Sequence, residues 1–169
     1  VTERVVVPVP VRVRGRDVLV GETWDGDDEV GLLTVGQQPV AVFADVDALG
    51  RAATDQGMAT DPVTEAKRVD LDAATSEARS GREVLDCATL LGAWDLVEDL
   101  AEARGRPRPT GAVRARVHEK LFWGCNLPSV TPSGEQYVPS WSRRERRVLR
   151  RVTERGSALV AGLAGGAAS

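Results

Sequence analysis

The sequence predicts an α+β fold: a small antiparallel β-sheet, formed by an N-terminal meander, packed against a mostly helical C-terminal half. Three observations carry this expectation. Valine-rich runs of period two fill the first 43 residues and are separated by Gly- and Asp-containing turns. Beyond about residue 70 the apolar spacing changes to three and four, with capping residues at the starts. The chain has 169 residues, 42% apolar and 28% charged, which suits one domain with a substantial core. Residues 1–164 are read as that single domain and the small residues 165–169 as a flexible tail.

Val5 to Arg14 reads as the first strand, with Val5, Val7, Val9, Val11 and Val13 on one side. Pro8 and Pro10 share one edge, and both lack an N–H donor, so an edge strand is expected. Arg14-Gly15-Arg16-Asp17 is a turn, and Val18 to Glu22 a second strand. Asp25 to Glu29 is an acidic hairpin turn whose spacing does not match a calcium loop. Val30 to Val35 and Val40 to Phe43 make a third and fourth strand. Asp45 caps a short helix ending near Ala53. The stretch PVAVFADVDAL, a strand running into that helix, resembles the same seam in SseB-like secretion-associated domains. It spans eleven residues of common types and assigns no family.

Asp61-Pro62 is a helix-start signal. Val69 to Asp72 fits either a fifth strand or the edge of the next helix, and residues 72–79 lead onward. The clearest helix is expected from Ser80 to Gly105, with Ser80 and Glu83 at capping-box spacing and Gly105 before Pro107 closing it. Val84, Leu85, Cys87, Ala88, Leu90 and Leu91 point all round, so its first half is expected to be buried. In the second half Leu90, Trp94, Val97 and Ala101 share one side, and Asp95, Glu98, Asp99 and Glu102 the other. Like charges three and four apart, near a helix C-terminus, cost on the order of 1–3 kcal/mol together. Either internal arginines or a basic partner would offset that cost.

A helix is expected from Gly111 to Trp123, with Val113, Val117 and Leu121 inward. The segment from Phe122 to Trp141 combines turn formers with four aromatic residues. Trp123, Tyr137 and Trp141 are read as anchors that wrap it onto the body, and as the aromatic part of a partner site. Ser142 and Glu145 repeat the capping-box spacing and start the last helix. Val148, Leu149, Val152, Leu159 and Leu163 lie within one arc of it, and the arginines fill the opposite arc. Gly156 weakens the middle and marks a possible stop.

Net charge is −3, but residues 1–103 carry 21 acidic and 9 basic residues, whereas residues 104–169 carry 4 and 13. Such asymmetry fits either mutual neutralisation of the halves or recruitment of a charged partner. Arginine dominates over lysine, and with abundant Ala, Gly and Val this composition suggests a GC-rich bacterial genome, in which Val1 reads as a GTG start. The N-terminus lacks a signal peptide's apolar core, and the two cysteines lack metal spacing, so a cytoplasmic, reduced protein is expected.

No phosphate loop, dinucleotide fingerprint, metalloprotease motif or nucleophile elbow is present. His118 and Cys125 are seven apart, a conceivable thiol–imidazole pair without a third orienting group. The pairs Asp45/Asp47 and Asp70/Asp72 are read as helix starts rather than metal ligands. The expectation is a non-enzymatic interaction domain with no cofactor and no metal. It would mask a basic protein partner, in an immunity- or chaperone-like way, through Asp95, Glu98, Asp99 and Glu102 with Trp123, Tyr137 and Trp141. The alternative is nucleic-acid binding through Arg143, Arg147, Arg150 and Arg151.

Overall fold

The computed structural model describes residues 4–36, 40–62, 67–107 and 109–166. Strands β1 (Arg4–Val13) and β2 (Arg16–Asp25) form a long antiparallel hairpin. Val13 pairs with Arg16, so only Arg14 and Gly15 make the turn, both at positive φ. β3 (Asp28–Leu32) returns along β2 through the acidic turn expected between residues 25 and 29. It begins two residues earlier than the valine run suggests, because Asp25 pairs directly with Asp28.

The expected edge strand is a correction. The sheet order is β3-β2-β1-β4, with β5 also on β1, so β1 is internal. β4 (Ala59–Thr60) pairs in parallel with Val5 and Val6, and β5 (Val69–Asp70) with Val11 and Arg12. Pro8 and Pro10 fall in the gap between these two short ladders. The prolines do leave one edge of β1 without donors, but two-residue strands can pair on either side of that interruption.

The expected fourth strand at Val40–Phe43 is likewise reduced to a single bridge, Leu19 to Phe43. Leu19 and Phe43 exchange backbone hydrogen bonds of 2.8 Å each. All of residues 40–43 are buried, so side-chain packing on two sides holds this segment rather than a ladder. Helix α1 (Val46–Thr54) follows, with the Asp45 carboxylate accepting from the Ala48 amide at 2.8 Å as expected. The expected helix start at Asp61-Pro62 would continue into residues 63–66, which lie outside the described residues.

Val69-Asp70 is a strand and Leu71 already helix, so both readings of that stretch are realised in succession. Helix α2 spans Leu71–Arg79. Its Asp72 carboxylate accepts from the Arg14 and Gly15 amides at 2.6 and 2.8 Å, fastening the hairpin tip to the helix.

The long helix expected from Ser80 is split. α2 ends at Arg79, and α3 runs only from Cys87 to Ala103. Asp86, not Ser80, is the N-cap, accepting from the Thr89 amide at 3.0 Å. Gly81 disfavours helix in the break. The buried Glu77 carboxylate consolidates it by accepting from the Asp86 amide at 2.8 Å and from Arg82. Val84 is consequently exposed, whereas Leu85 and Cys87 are buried. The C-terminus closes as expected: Gly105 has φ +63°, and Arg106 N–H reaches the Ala101 carbonyl at 2.9 Å.

α4 (Ala112–Gly124) and α5 (Arg143–Gly166) complete the helical layer. The Ser142–Glu145 capping box forms, with bonds of 2.8 and 3.3 Å. α5 does not stop at Gly156 and continues through Gly165 to Gly166; residues 167–169 lie outside the described residues. The sheet is covered on both faces. Val9, Val11, Val13, Val18 and Val20 join the core of α2–α5. Val6 and Leu19, of opposite parity, pack with Leu33, Phe43, Leu49 and Ala53 around α1.

Candidate functional site

Trp94, on α3, organises the acidic region. Its side chain is almost fully buried where α3 packs on α4. The indole Nε1–H donates to Glu98 at 2.9 Å, and the Arg114 guanidinium stacks 4.3 Å from the ring centroid. Arg114 also pairs with Glu98 at 3.1 Å. Glu98 is therefore engaged internally, one turn along from the residue it satisfies.

Asp95 points outward and pairs with His118 at 3.4 Å. Its acidity is weakened chiefly by burial and secondarily by Glu98, while His118 opposes both. Asp99 is half-buried and Glu102 exposed. The four carboxylates thus do not form one uniform face. Glu98 is bound within the α3–α4 contact and also borders, with Asp95 and Asp99, a recess beside the sheet, whose lining does not include Glu102.

The aromatic residues also divide. Trp141 packs against the main core, with Lys120 Nζ 5.6 Å from its ring centroid. Trp123 and Tyr137 are each 42% exposed. Leu127, Val130 and Val138 are exposed as well, so five large apolar side chains of one 16-residue stretch face solvent. A cleft of about 560 Å³ is lined by Trp123, Val130 and Tyr137 with Arg116, Glu119 and Lys120. Asn126 fixes its shape. Its Nδ2 donates to the Gly124 and Tyr137 carbonyls at 3.0 Å each, and its Oδ1 accepts from the Tyr137 amide at 2.7 Å. At φ +49° Asn126 sits in the left-handed region, which asparagine tolerates better than most residues.

On α5, Arg143, Arg147, Arg150 and Arg151 are exposed. Arg150 nevertheless donates to the Ala78 carbonyl at 3.1 Å, and Arg146 to the Arg82 carbonyl at 2.6 Å. These two satisfy carbonyls at and just beyond the end of α2. A single arginine face is therefore divided between internal capping and solvent.

His118 and Cys125 are not brought into contact. The imidazole faces Asp95, and Cys125 Sγ donates to the Leu121 carbonyl at 3.2 Å. Burial raises the Cys125 thiol pKa, with Asp86 and Asp95 adding to it, and pushes Cys87 up to about 11. Neither thiol is poised as a thiolate. Among the described residues no group of three His, Cys, Asp or Glu side chains is placed to hold a metal ion. Nor is any described helix long and apolar enough to cross a membrane.

Three residues of these surfaces escaped the sequence reading: Glu22, Asn126 and Lys67. Glu22 carries a legible signal, because period two from Val18 and Val20 places it on the buried face. No family model, no curated protein and no solved structure matches the chain.

Proposed function

We propose that the chain is a non-enzymatic protein-interaction domain. The observation that carries this reading is the cleft lined by the apolar side chains of Trp123, Val130 and Tyr137, held in shape by Asn126, with Leu127 and Val138 also exposed in the same segment. Large aromatics on a preformed surface with a charged rim are what protein interfaces use as anchors, since ordering costs little once the loop is fixed. Asp95, Asp99 and Glu102 add a separate acidic flank suited to a basic partner, in an immunity- or chaperone-like role. The separated His118 and Cys125, and the raised thiol pKa values, favour this over thiol chemistry.

The test is capture of a partner by the tagged full chain, with nuclease present, beside the double variant Trp123→Ala/Tyr137→Ala. A partner retained by the wild type should be lost by the variant, with unchanged melting temperature. Capture that is indifferent to both truncations, or retention of nucleic acid alone when nuclease is omitted, would turn attention to Arg143, Arg147 and Arg151.

A further inference from the structure

We infer that the cleft between α3 and α5 is a docking groove for an acidic amphipathic helix of a partner protein, a second interaction surface that uses none of the aromatic cleft. The groove has a volume of about 640 Å³. α3 and the loop that follows it form one wall, and α5 the other. Its floor is apolar, with Val97 and Ala101 contributed by α3 and Val148, Val152 and Leu159 by α5. Ala101, Val148 and Leu159 are only half-buried, so apolar surface is left open there. Along α5 the lining runs from Val148 to Leu159. That is about 16 Å, or three helical turns, at the ordinary helical rise.

The rim specifies the charge of the occupant. Arg104 and Arg106 stand on the first wall, and Arg151 and Arg155 on the second. None of the four makes an ion pair among the described residues. Glu98, the acidic side chain of the described lining, is held by Arg114 at 3.1 Å, and Asp99 and Glu102 are not part of that lining. Glu154, beside Arg155, is held by Arg79 at 2.7 Å. Arg104 and Arg106 follow the last turn of α3, where the helix dipole favours cations. Arg151 and Arg155 lie in the middle of α5, where no such support exists and like charges four apart repel. Four guanidiniums around one opening complement a polyanion. No aromatic side chain among the described lining residues offers a face on which a base could stack, and the apolar floor gives nothing to a phosphate backbone. A fatty carboxylate would cover the floor but bring a single charge to four cations. A helix with leucine-type side chains on one face and carboxylates along both flanks satisfies floor and rim together.

The experiment follows the fluorescence anisotropy of a fluorescein-tagged peptide titrated with the full chain. The peptide is three helical turns of leucine and glutamate, with leucine on one face. Saturable binding is expected. Exchanging its glutamates for glutamine, or its leucines for serine, should each weaken binding at least about tenfold, because the groove reads both features. Arg151→Gln/Arg155→Gln should weaken it at least about tenfold as well, with unchanged melting temperature. Arg16→Gln/Arg144→Gln removes the same charge at exposed positions outside the groove and should leave affinity within about twofold. Should the first variant not fold, Arg104→Gln/Arg106→Gln on the other wall replaces it, with the same loss expected. No saturable binding, equal binding of the glutamine or serine peptide, or equal losses from the groove pair and the distant pair would each overturn the proposal. A thymidine oligonucleotide that binds more tightly than the peptide and depends on Arg151 and Arg155 would assign the groove to nucleic acid instead. The two readings fail separately, because neither the peptide nor these variants involve Trp123 or Tyr137.

Discussion

Gly156 illustrates how one missing atom sets helix packing. An added Cβ would collide with Val97 Cγ2 on α3. Helix propensity alone favours alanine over glycine by about 1 kcal/mol. Overpacking a filled core costs about 1–3 kcal/mol, so the steric term should win. Gly156→Ala is expected to lower the urea midpoint, and a raised midpoint would mean that α3 and α5 are not in this contact. Glu145 sets a different limit. Burial raises its pKa, but hydrogen bonds from Ser142 and Lys120 and the Lys120 charge outweigh that and hold it below the ordinary glutamate value. A lowered folded-state pKa contributes stability above the unfolded-state pKa, and that stability is lost as pH falls through the folded value. Glu145→Gln keeps a capping-box side chain but loses the buried charge pair with Lys120 at 2.9 Å. It should cost about 1–3 kcal/mol at neutral pH. The difference from wild type should disappear in acid, as melts across pH would record.

The break between α2 and α3 is an element-scale choice between two capping residues. Asp86 caps α3, with Oδ1 on the Thr89 amide and Oδ2 on its hydroxyl. Ser80 terminates α2, and its hydroxyl is buried without a hydrogen-bond partner. Asp86→Ala should therefore destabilise by about 0.5–2 kcal/mol. Ser80→Ala should be neutral or stabilising. Chemical denaturation of the two variants decides it, because a continuous helix from Ser80 would reverse their order. A spacing of S-x-x-E alone could not reveal this. Ser80 and Glu83 have the right types, but Gly81 lies between them, and the remote Glu77 consolidates the alternative through the Asp86 amide.

At the scale of the molecule, the two charged halves neutralise each other only locally. Arg114 reaches Glu98 and His118 reaches Asp95, whereas Arg79 pairs with Glu154 in the opposite sense. A cleft of about 640 Å³ on the far side of Glu98 is rimmed by Arg104, Arg106, Arg151 and Arg155. None of these four makes an ion pair among the described residues. Glu98 lines both this arginine-rimmed cleft and the recess beside the sheet, so basic and acidic surroundings meet at that residue. Partner association through the acidic flank should weaken several-fold between about 0.05 and 0.3 M salt, as screening shortens the reach of exposed charges. An affinity insensitive to salt would place binding energy in the aromatic patch alone.

The α+β class, the β1–β2 hairpin, the caps at Asp45 and Ser142, and the Gly105 closure are all legible in the order of residues. These follow from local periodicity and from side chains that bond their own backbone within a few residues. Long-range packing settles that β1 is internal, that Asp86 caps α3, and that Glu98 faces inward while Asp95 does not. It likewise leaves Trp123 and Tyr137 exposed while Trp141 is packed. Each of these outcomes depends on a partner far along the chain: β4 and β5 for Pro8 and Pro10, Glu77 for Asp86, Arg114 for Glu98. A helical wheel assigns a residue to a face, but the neighbour brought to that face decides whether its charge is satisfied or presented to solvent.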